Sequence, residues 1–570
     1  MGGEVVGAGP GALLLRNARV LREGIFSEPV DVEIRDGVVT AIGAHATGGS
    51  EDASGLEEID LEARWLVPGL WDNHVHFSQW AAVARRLDVS TATSAAEAAA
   101  AVRRALVAEA GGVAGSDAAS GTNGVAGIGA PEDAAVSGSG EDDESASASA
   151  SASDAGVLVG FGFRDGLWPD EPTAALLDAV AGPRAVVLVS GDLHCCWLDS
   201  AALALFGLAG HPTGVLREEE AFAVQRALDD VPAATVDQWA LEAARAAAAR
   251  GVVGIVDLEM SWNAEVWARR TAAGHDLLRV EFGVYPQHLD RAVAEGLRTG
   301  MPLAPAEPPT ATDAPAATDD PPGRSPASGA LVHVGPFKVI TDGSLNTRTA
   351  YCFDEYPGLE GQPGSRGLLT VPPEELSELL VRATEAGFVP AVHAIGDHAN
   401  RLVLDAFESL GCGGSLEHAQ LLAETDVPRF AALGVTASVQ PEHAMDDRDV
   451  AERYWAGRTG RSFALGSLLA AGATLALGSD APVAPLDPWI TMAAAVGRER
   501  DGREPWHPEQ RIPATAALAA SARGRTGIRV GDLADLAVTD ADPLTATPAA
   551  LRTLPVALTL LAGRPTHRAL

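Results

Sequence analysis

The chain has 570 residues, 47% of them hydrophobic, so it can bury a large core and is not mainly disordered. Its 77 acidic residues outnumber 41 Lys and Arg, and the net charge of −36 argues against nucleic acid or an anionic membrane as a partner. Four cysteines, Cys195, Cys196, Cys352 and Cys412, make no disulfide framework and fit a reducing cytoplasm.

The amino-terminal "MGGEVVGAGPGALLLRNARV" has no basic segment ahead of its short apolar run, so it does not read as a secretory signal. From about Leu13 to Leu66 apolar and polar residues alternate in the β manner, and Asp36-Gly37 between two such runs marks a hairpin. "GDLADLAVTD" and "VALTLLAGRP" repeat the pattern near the carboxyl end. Residues 1–65 and 525–570 are therefore expected to build one composite β-domain from both termini. In the middle, strands alternate with alanine-rich helical stretches, the signature of βαβ units. Eight candidate strands follow one another: Leu66–Trp71, Gly254–Leu258, Arg279–Tyr285, Pro336–Ile340, Pro390–Ala394, Ser415–His418, Val435–Gln440 and Thr474–Gly478. Eight is the number a closed parallel barrel requires, and it would occupy residues 66–110 and 251–524.

Residues 156–250 are long enough to form an inserted α/β subdomain over the barrel mouth. Two further segments lack the apolar content that offsets ordering entropy. Residues 111–155, including "EDDESASASASASD", read as a low-complexity insertion, and 302–329 as a disordered Pro/Ala-rich loop. No uninterrupted apolar run is long enough to span a bilayer, so a soluble cytoplasmic protein is expected.

Six residues able to bind metal stand at the ends of short apolar runs. "LVPGLWDNHVH" ends in His74 and His76, "VGPFKVI" carries Lys338, "FVPAVHAIG" His393, "GSLEHAQ" His418, and "ATLALGSD" closes on Asp480. In a parallel barrel the carboxyl ends of the strands converge on one mouth, so residues far apart in sequence can share an ion. The His-x-His spacing places both imidazoles on one side of a strand. Taken singly, a histidine such as His393 or His418 is more often a hydrogen-bonded core residue than a ligand; their weight is joint. Imidazole and carboxylate donors suit Zn2+, with manganese, iron or cobalt as alternatives. Lys338 as an ordinary cation would repel such an ion, and would then pair with Asp342 or Asp480 beside a single metal.

These segments, together with "LHCCWLDSAAL", "FKVITDGSLNTRTA", "VHAIGDHANRLVLDAFE", "RFAALGVTASVQPEH" and "LGSDAPV", resemble the amidohydrolase superfamily, and within it the amidohydrolase-3 (YtcJ-like) branch. The resemblance runs from roughly Leu13 to Arg564, apart from the low-complexity insertions. It implies an α/β fold: a (β/α)8 TIM-like barrel with a composite β-sandwich. It also implies that Lys338 reacts with CO2 to give a carbamate bridging two Zn2+ ions, with His74, His76 and Asp480 on one and His393 and His418 on the other. On that view metal coordination lowers the pKa of water towards neutrality. Asp480 would accept the proton and pass it to a departing amine, and His194 or the second ion would polarise the carbonyl. The implied reaction is hydrolysis of an amide-like C–N bond in a small molecule, such as an N-substituted formamide or an acyl-amine. A homodimer is the generic expectation for its assembly.

His194 lies in "GDLHCCWLDSAAL", where Cys195, Cys196 and Asp199 depart from the small or amide residues usual in the branch. That departure touches substrate contacts, not the metals. Asn346 and Thr347 likewise replace small residues. Arg348 could grip a substrate carboxylate through its fork, or tie its own loop by a salt bridge. Gln440 and His443 could touch substrate or hydrogen-bond the ligands. Trp197, with Trp71, Trp80 and Trp168, could line an aromatic pocket or pack the core. Two alternatives remain: a mononuclear deaminase-type aminohydrolase, and a non-catalytic amidohydrolase-like scaffold. The first is disfavoured by Gly396, three residues beyond His393, where such enzymes carry a glutamate. No Gly-rich dinucleotide fingerprint follows an early strand.

Overall fold

The computed structural model describes residues 12–43, 57–110, 156–228, 231–303 and 330–570. The expected low-complexity insertion at 111–155 lies outside them. Of the loop expected at 302–329 only Pro302 and Leu303 are described, and Leu303 donates its N–H to the Val332 carbonyl at 2.9 Å. The chain forms two compact units, one running up to Arg85 together with Val236–Leu570, the other Arg86–Thr235. Among the described residues no helix is long and apolar enough to cross a membrane.

The first unit holds an eight-stranded parallel sheet in sequential order. Its strands are β1 (Leu70–Val75), β2 (Val252–Asp257), β3 (Arg279–Val284), β4 (Val332–Ile340), β5 (Pro390–Ala394), β6 (Gly414–His418), β7 (Val435–Val439) and β8 (Leu475–Leu477). Every residue of β2 and β5 is buried, because helices cover the outer face and side chains fill the inner one. The ends of β1 and β8 meet in a parallel bridge between Val75 and Ala481. Asp480 N–H donates to His74 O at 2.7 Å and His76 N–H to Ala481 O at 2.8 Å, so the ring closes through the residues of interest. Gly478 permits the approach: a Cβ there would lie 2.8 Å from His74 Cβ.

The expected first strand Leu66–Trp71 divides at Gly69. Trp65–Pro68 instead joins a nine-stranded sheet, pairing parallel with Leu13–Arg22 and antiparallel with Leu536–Thr539. A Cβ on Gly69 would stand 2.5 Å from Val253, so glycine lets the chain cross tightly from one sheet to the other. Both termini build the composite sheet, as expected, with Val556–Leu561 and Arg564–Arg568 extending it from the carboxyl side. The hairpin at Asp36-Gly37 has φ of 50° and 77°, which suits a tight turn between Val30–Arg35 and Val38–Gly43.

The unit boundary falls elsewhere than composition suggests. Helix Ala233–Ala248 buries Ala240, Ala244 and Ala247 against the barrel core; that spacing makes one apolar stripe. Helix Ala95–Ala110 instead packs Ala95, Ala98, Ala99 and Val102 within the second unit, beside Leu177 and Val186. The second unit's sheet has five strands, in the order Val215–Arg217, Cys195–Leu198, Val186–Ser190, Leu158–Phe163 and Leu87–Asp88.

Candidate metal centre

Alternation along β1 puts Asp72, His74 and His76 on one face at the strand's carboxyl end. His74 Nε2 and His76 Nε2 each stand 3.4 Å from Asp480 Oδ1. Two donors bonded to one tetrahedral ion at about 2.1 Å lie about 3.4 Å apart, so this spacing is that of one coordination edge. Donor atoms of His74, His418 and Asp480 all fall within 4.8 Å of one another, and all three residues are buried. The rings continue the cluster: His418 lies 5.1 Å from His74 and 4.5 Å from His393, centroid to centroid.

Backbone geometry makes this convergence possible. In a regular strand Glu417 and His418 would point to opposite faces. His418 instead has φ of 72° and Ala419 of 43°, so both side chains reach His74. Asp480 is likewise left-handed, at φ 58°. Such conformations cost a non-glycine residue about 1–3 kcal/mol and are held by their surroundings.

Glu417 is the residue that reading the sequence missed. His74 donates from Nδ1 to Glu417 Oε2 at 2.6 Å, and Ser415 Oγ donates to the other carboxylate oxygen. A carboxylate on the distal nitrogen fixes the imidazole's tautomer and orientation and raises its basicity as a ligand. The only hint in sequence is an acid directly before a ligand histidine. Asp342 escaped notice similarly as a positioning group. It accepts the N–H groups of Ile395 at 3.0 Å, Gly396 at 2.9 Å and Tyr351 at 2.9 Å, and its Oδ1 stands 3.3 Å from His393 Nε2.

The electrostatics suit metal binding. Burial, with the Lys338 charge adding to it, lowers His74 to about 4, so the imidazole is neutral near pH 7, as a ligand must be. Burial alone would raise the Glu417 carboxyl, but the His74 hydrogen bond and the Lys338 charge hold it at about 2. Asp480 is also opposed by burial, yet the surrounding His74, His76 and His418 keep it well below the usual carboxylate range. Burial pushes Asp72 up to about 7 although Ser479 and His74 N–H groups bond it. Lys338 is 1% exposed on β4, its Nζ has no hydrogen-bond partner, and burial lowers its pKa below the ordinary lysine value. His418 Nδ1 is also buried and unbonded. Buried polar atoms are rarely left so, and both mark the cluster as a place where a bound group would find partners.

The remaining candidates separate. Gln440 Nε2 lies 3.4 Å from His74 Nδ1, and His443 Nε2 lies 3.8 Å from Asp480 Oδ2. Arg348, at φ 60°, holds its guanidinium 5.5 Å over the ring of Tyr454, the last residue of helix His443–Tyr454. That end is about 16 Å along the helix axis from His443. His194 and Trp197 belong to the second unit. His194 donates from Nδ1 to Glu218 Oε2 at 2.9 Å, between left-handed Leu193 and Glu218. Trp197 is fully buried: its indole donates to the Thr173 carbonyl at 2.9 Å and its ring packs edge-on to Phe163 and Trp168. It fills the core of that unit and has no exposed face for a substrate, contrary to the contact expected of it. Burial pushes the Cys195 thiol well above its ordinary value, which favours the protonated form.

A family model described as the amidohydrolase family matches residues 57–567. LONG AFTER FAR-RED 3 of Arabidopsis thaliana is 27% identical over 85% of this chain and 78% of its own length. Putative amidohydrolase YtcJ of Bacillus subtilis is 25% identical over 96% of this chain and 97% of its own. The crystal structure of an uncharacterized metal-dependent hydrolase from Pyrococcus horikoshii matches the fold with a TM-score of 0.69 and 21% identity, covering 94% of this chain and 99% of that one. With the barrel and the clustered histidines in place, the chain belongs to the amidohydrolase family, in its amidohydrolase-3 (YtcJ-like) branch.

Proposed function

We propose that this protein hydrolyses a non-peptide, amide-like C–N bond of a small molecule, such as an N-substituted formamide or an acyl-amine. The observation that carries the reading is the 3.4 Å spacing of both His74 and His76 from one oxygen of Asp480, inside a buried cluster that includes His418. His74, His76 and Asp480 would hold one Zn2+ ion, and His393 and His418 a second. Lys338 would join them as a CO2-derived carbamate; burial favours the neutral amine that such a reaction needs, and an uncompensated buried ammonium is costly. When bound, the ions supply Lewis acidity that brings water towards ionisation near neutral pH and polarises the carbonyl.

The side chains do the rest. Asp480, kept ionised by its histidine neighbours, accepts the proton of the attacking water and returns it to the amine nitrogen as the C–N bond breaks. Glu417 holds His74 in register. A deaminase reading loses its required acid: at Gly396 even a Cβ would lie 2.1 Å from the Tyr351 carbonyl oxygen, so no glutamate fits in this loop arrangement. The test is zinc-loaded protein assayed against formamides, acyl-amines, cyclic amides and carbamates with detection of released amine. Turnover of one class supports the reading; no amine from any of them overturns it and leaves the scaffold alternative.

A further inference from the structure

We infer that His443 is a further catalytic residue, donating a hydrogen bond from Nε2 to the carbonyl oxygen of the scissile amide as it becomes an oxyanion. The inference rests on the amide-hydrolase reading and adds a residue to it. His443 is the first residue of helix His443–Tyr454, is 6% exposed, and its Nε2 has no hydrogen-bond partner. That nitrogen faces Asp480 Oδ2 at 3.8 Å, too far for a bond, while Oδ1 of the same carboxylate faces His74 and His76. Its ring runs nearly parallel to that of His418, 6.0 Å away and tilted 23°. The imidazole therefore looks onto the side of Asp480 that the other histidines leave open.

Its placement is enforced. The His443 N–H donates to Gln440 O at 3.1 Å, so the turn from β7 fixes the helix start. The preceding Glu442 is buried and clamped by both nitrogens of Arg552 at 2.9 Å and by Arg500 at 2.9 Å. Two arginines locking the residue next door leave the imidazole little freedom, and preorganised donors are what stabilise a developing oxyanion. The tautomer follows from charge. A bare lone pair on Nε2 facing the Asp480 carboxylate would be repelled, so Nε2 is the nitrogen that carries a proton and can donate.

The test compares full-length zinc-loaded wild type with His443→Ala and His443→Gln. Zinc per chain is measured by elemental analysis, kcat and KM on an amide that the wild type turns over, and affinity for methylphosphonate, a tetrahedral anion, by calorimetry. The expected result is unchanged zinc, a KM within about threefold, and a kcat down about 10²–10³-fold in His443→Ala. Methylphosphonate affinity falls in the same variant, and His443→Gln, which keeps an N–H donor, recovers part of both losses. Zinc lost from both variants overturns the inference by making His443 a ligand, as does a kcat or a methylphosphonate affinity equal to wild type. If the wild type cleaves no amide, the hydrolase reading fails by itself, and methylphosphonate binding still decides for or against His443.

Discussion

The mouth of the barrel and the sheet of Arg86–Thr235 bury polar groups in opposite ways. In the second unit, Trp197 Nε1 ends on Thr173 O, Trp168 Nε1 on Ala92 O, and Asp199 accepts from Val186 and Ala202 N–H. Among the described residues, none of the buried side-chain nitrogens and oxygens without a partner lies between 86 and 235. At the barrel mouth Lys338 Nζ, His418 Nδ1 and His443 Nε2 are all buried without one, beside left-handed His418 and Asp480. Interiors built only for stability satisfy their polar groups. The contrast teaches where this chain gives up local comfort for chemistry, and each region should respond differently to substitution.

The largest effect should come from Asp480→Asn, which keeps shape and removes the proton acceptor. Turnover should fall about 10²–10⁴-fold with the circular-dichroism spectrum unchanged; near-normal kcat would remove Asp480 from the mechanism. In the second unit Trp197→Ala should instead cost about 3–5 kcal/mol of stability, read by denaturant melting, with zinc per chain unchanged. A ligand-like loss of zinc there would erase the distinction between the regions. Glu417→Gln keeps a hydrogen-bond acceptor but removes the charge opposite His74, and zinc affinity measured by chelator competition should weaken about 10–100-fold. An unchanged affinity would make Glu417 mere packing. The smallest effect is expected from Asp199→Ala, which removes the cap of helix Ser200–Leu205 and should destabilise by about 1–2 kcal/mol without touching metal content.

Much of the barrel was legible because buried parallel strands write themselves as apolar runs. "PAVHA" forms β5 over the residues expected, and each proposed ligand stands at or near a strand's carboxyl end. The first strand was misplaced because Gly69 interrupts the run by a steric allowance, not by a change in polarity. Glu417 was hidden for a related reason: alternation assigns it to the face opposite His418, and only the left-handed turn at His418 reverses that. Arg348 read from its residue type as a carboxylate fork or as a salt bridge within its loop; its guanidinium stands 5.5 Å over the ring of Tyr454, a contact that residue type does not foretell. Trp197 sits on a strand buried on both faces, which aromatic content could not distinguish from a pocket wall.

The most direct test of the metal centre is elemental analysis of the purified chain, dialysed against chelator and reloaded with zinc in the presence or absence of bicarbonate. Two ions per chain should be retained with bicarbonate, fewer without it, and Lys338→Ala should no longer respond to bicarbonate at all. A chain that binds no ion stoichiometrically and still releases amine in chelator would contradict the account.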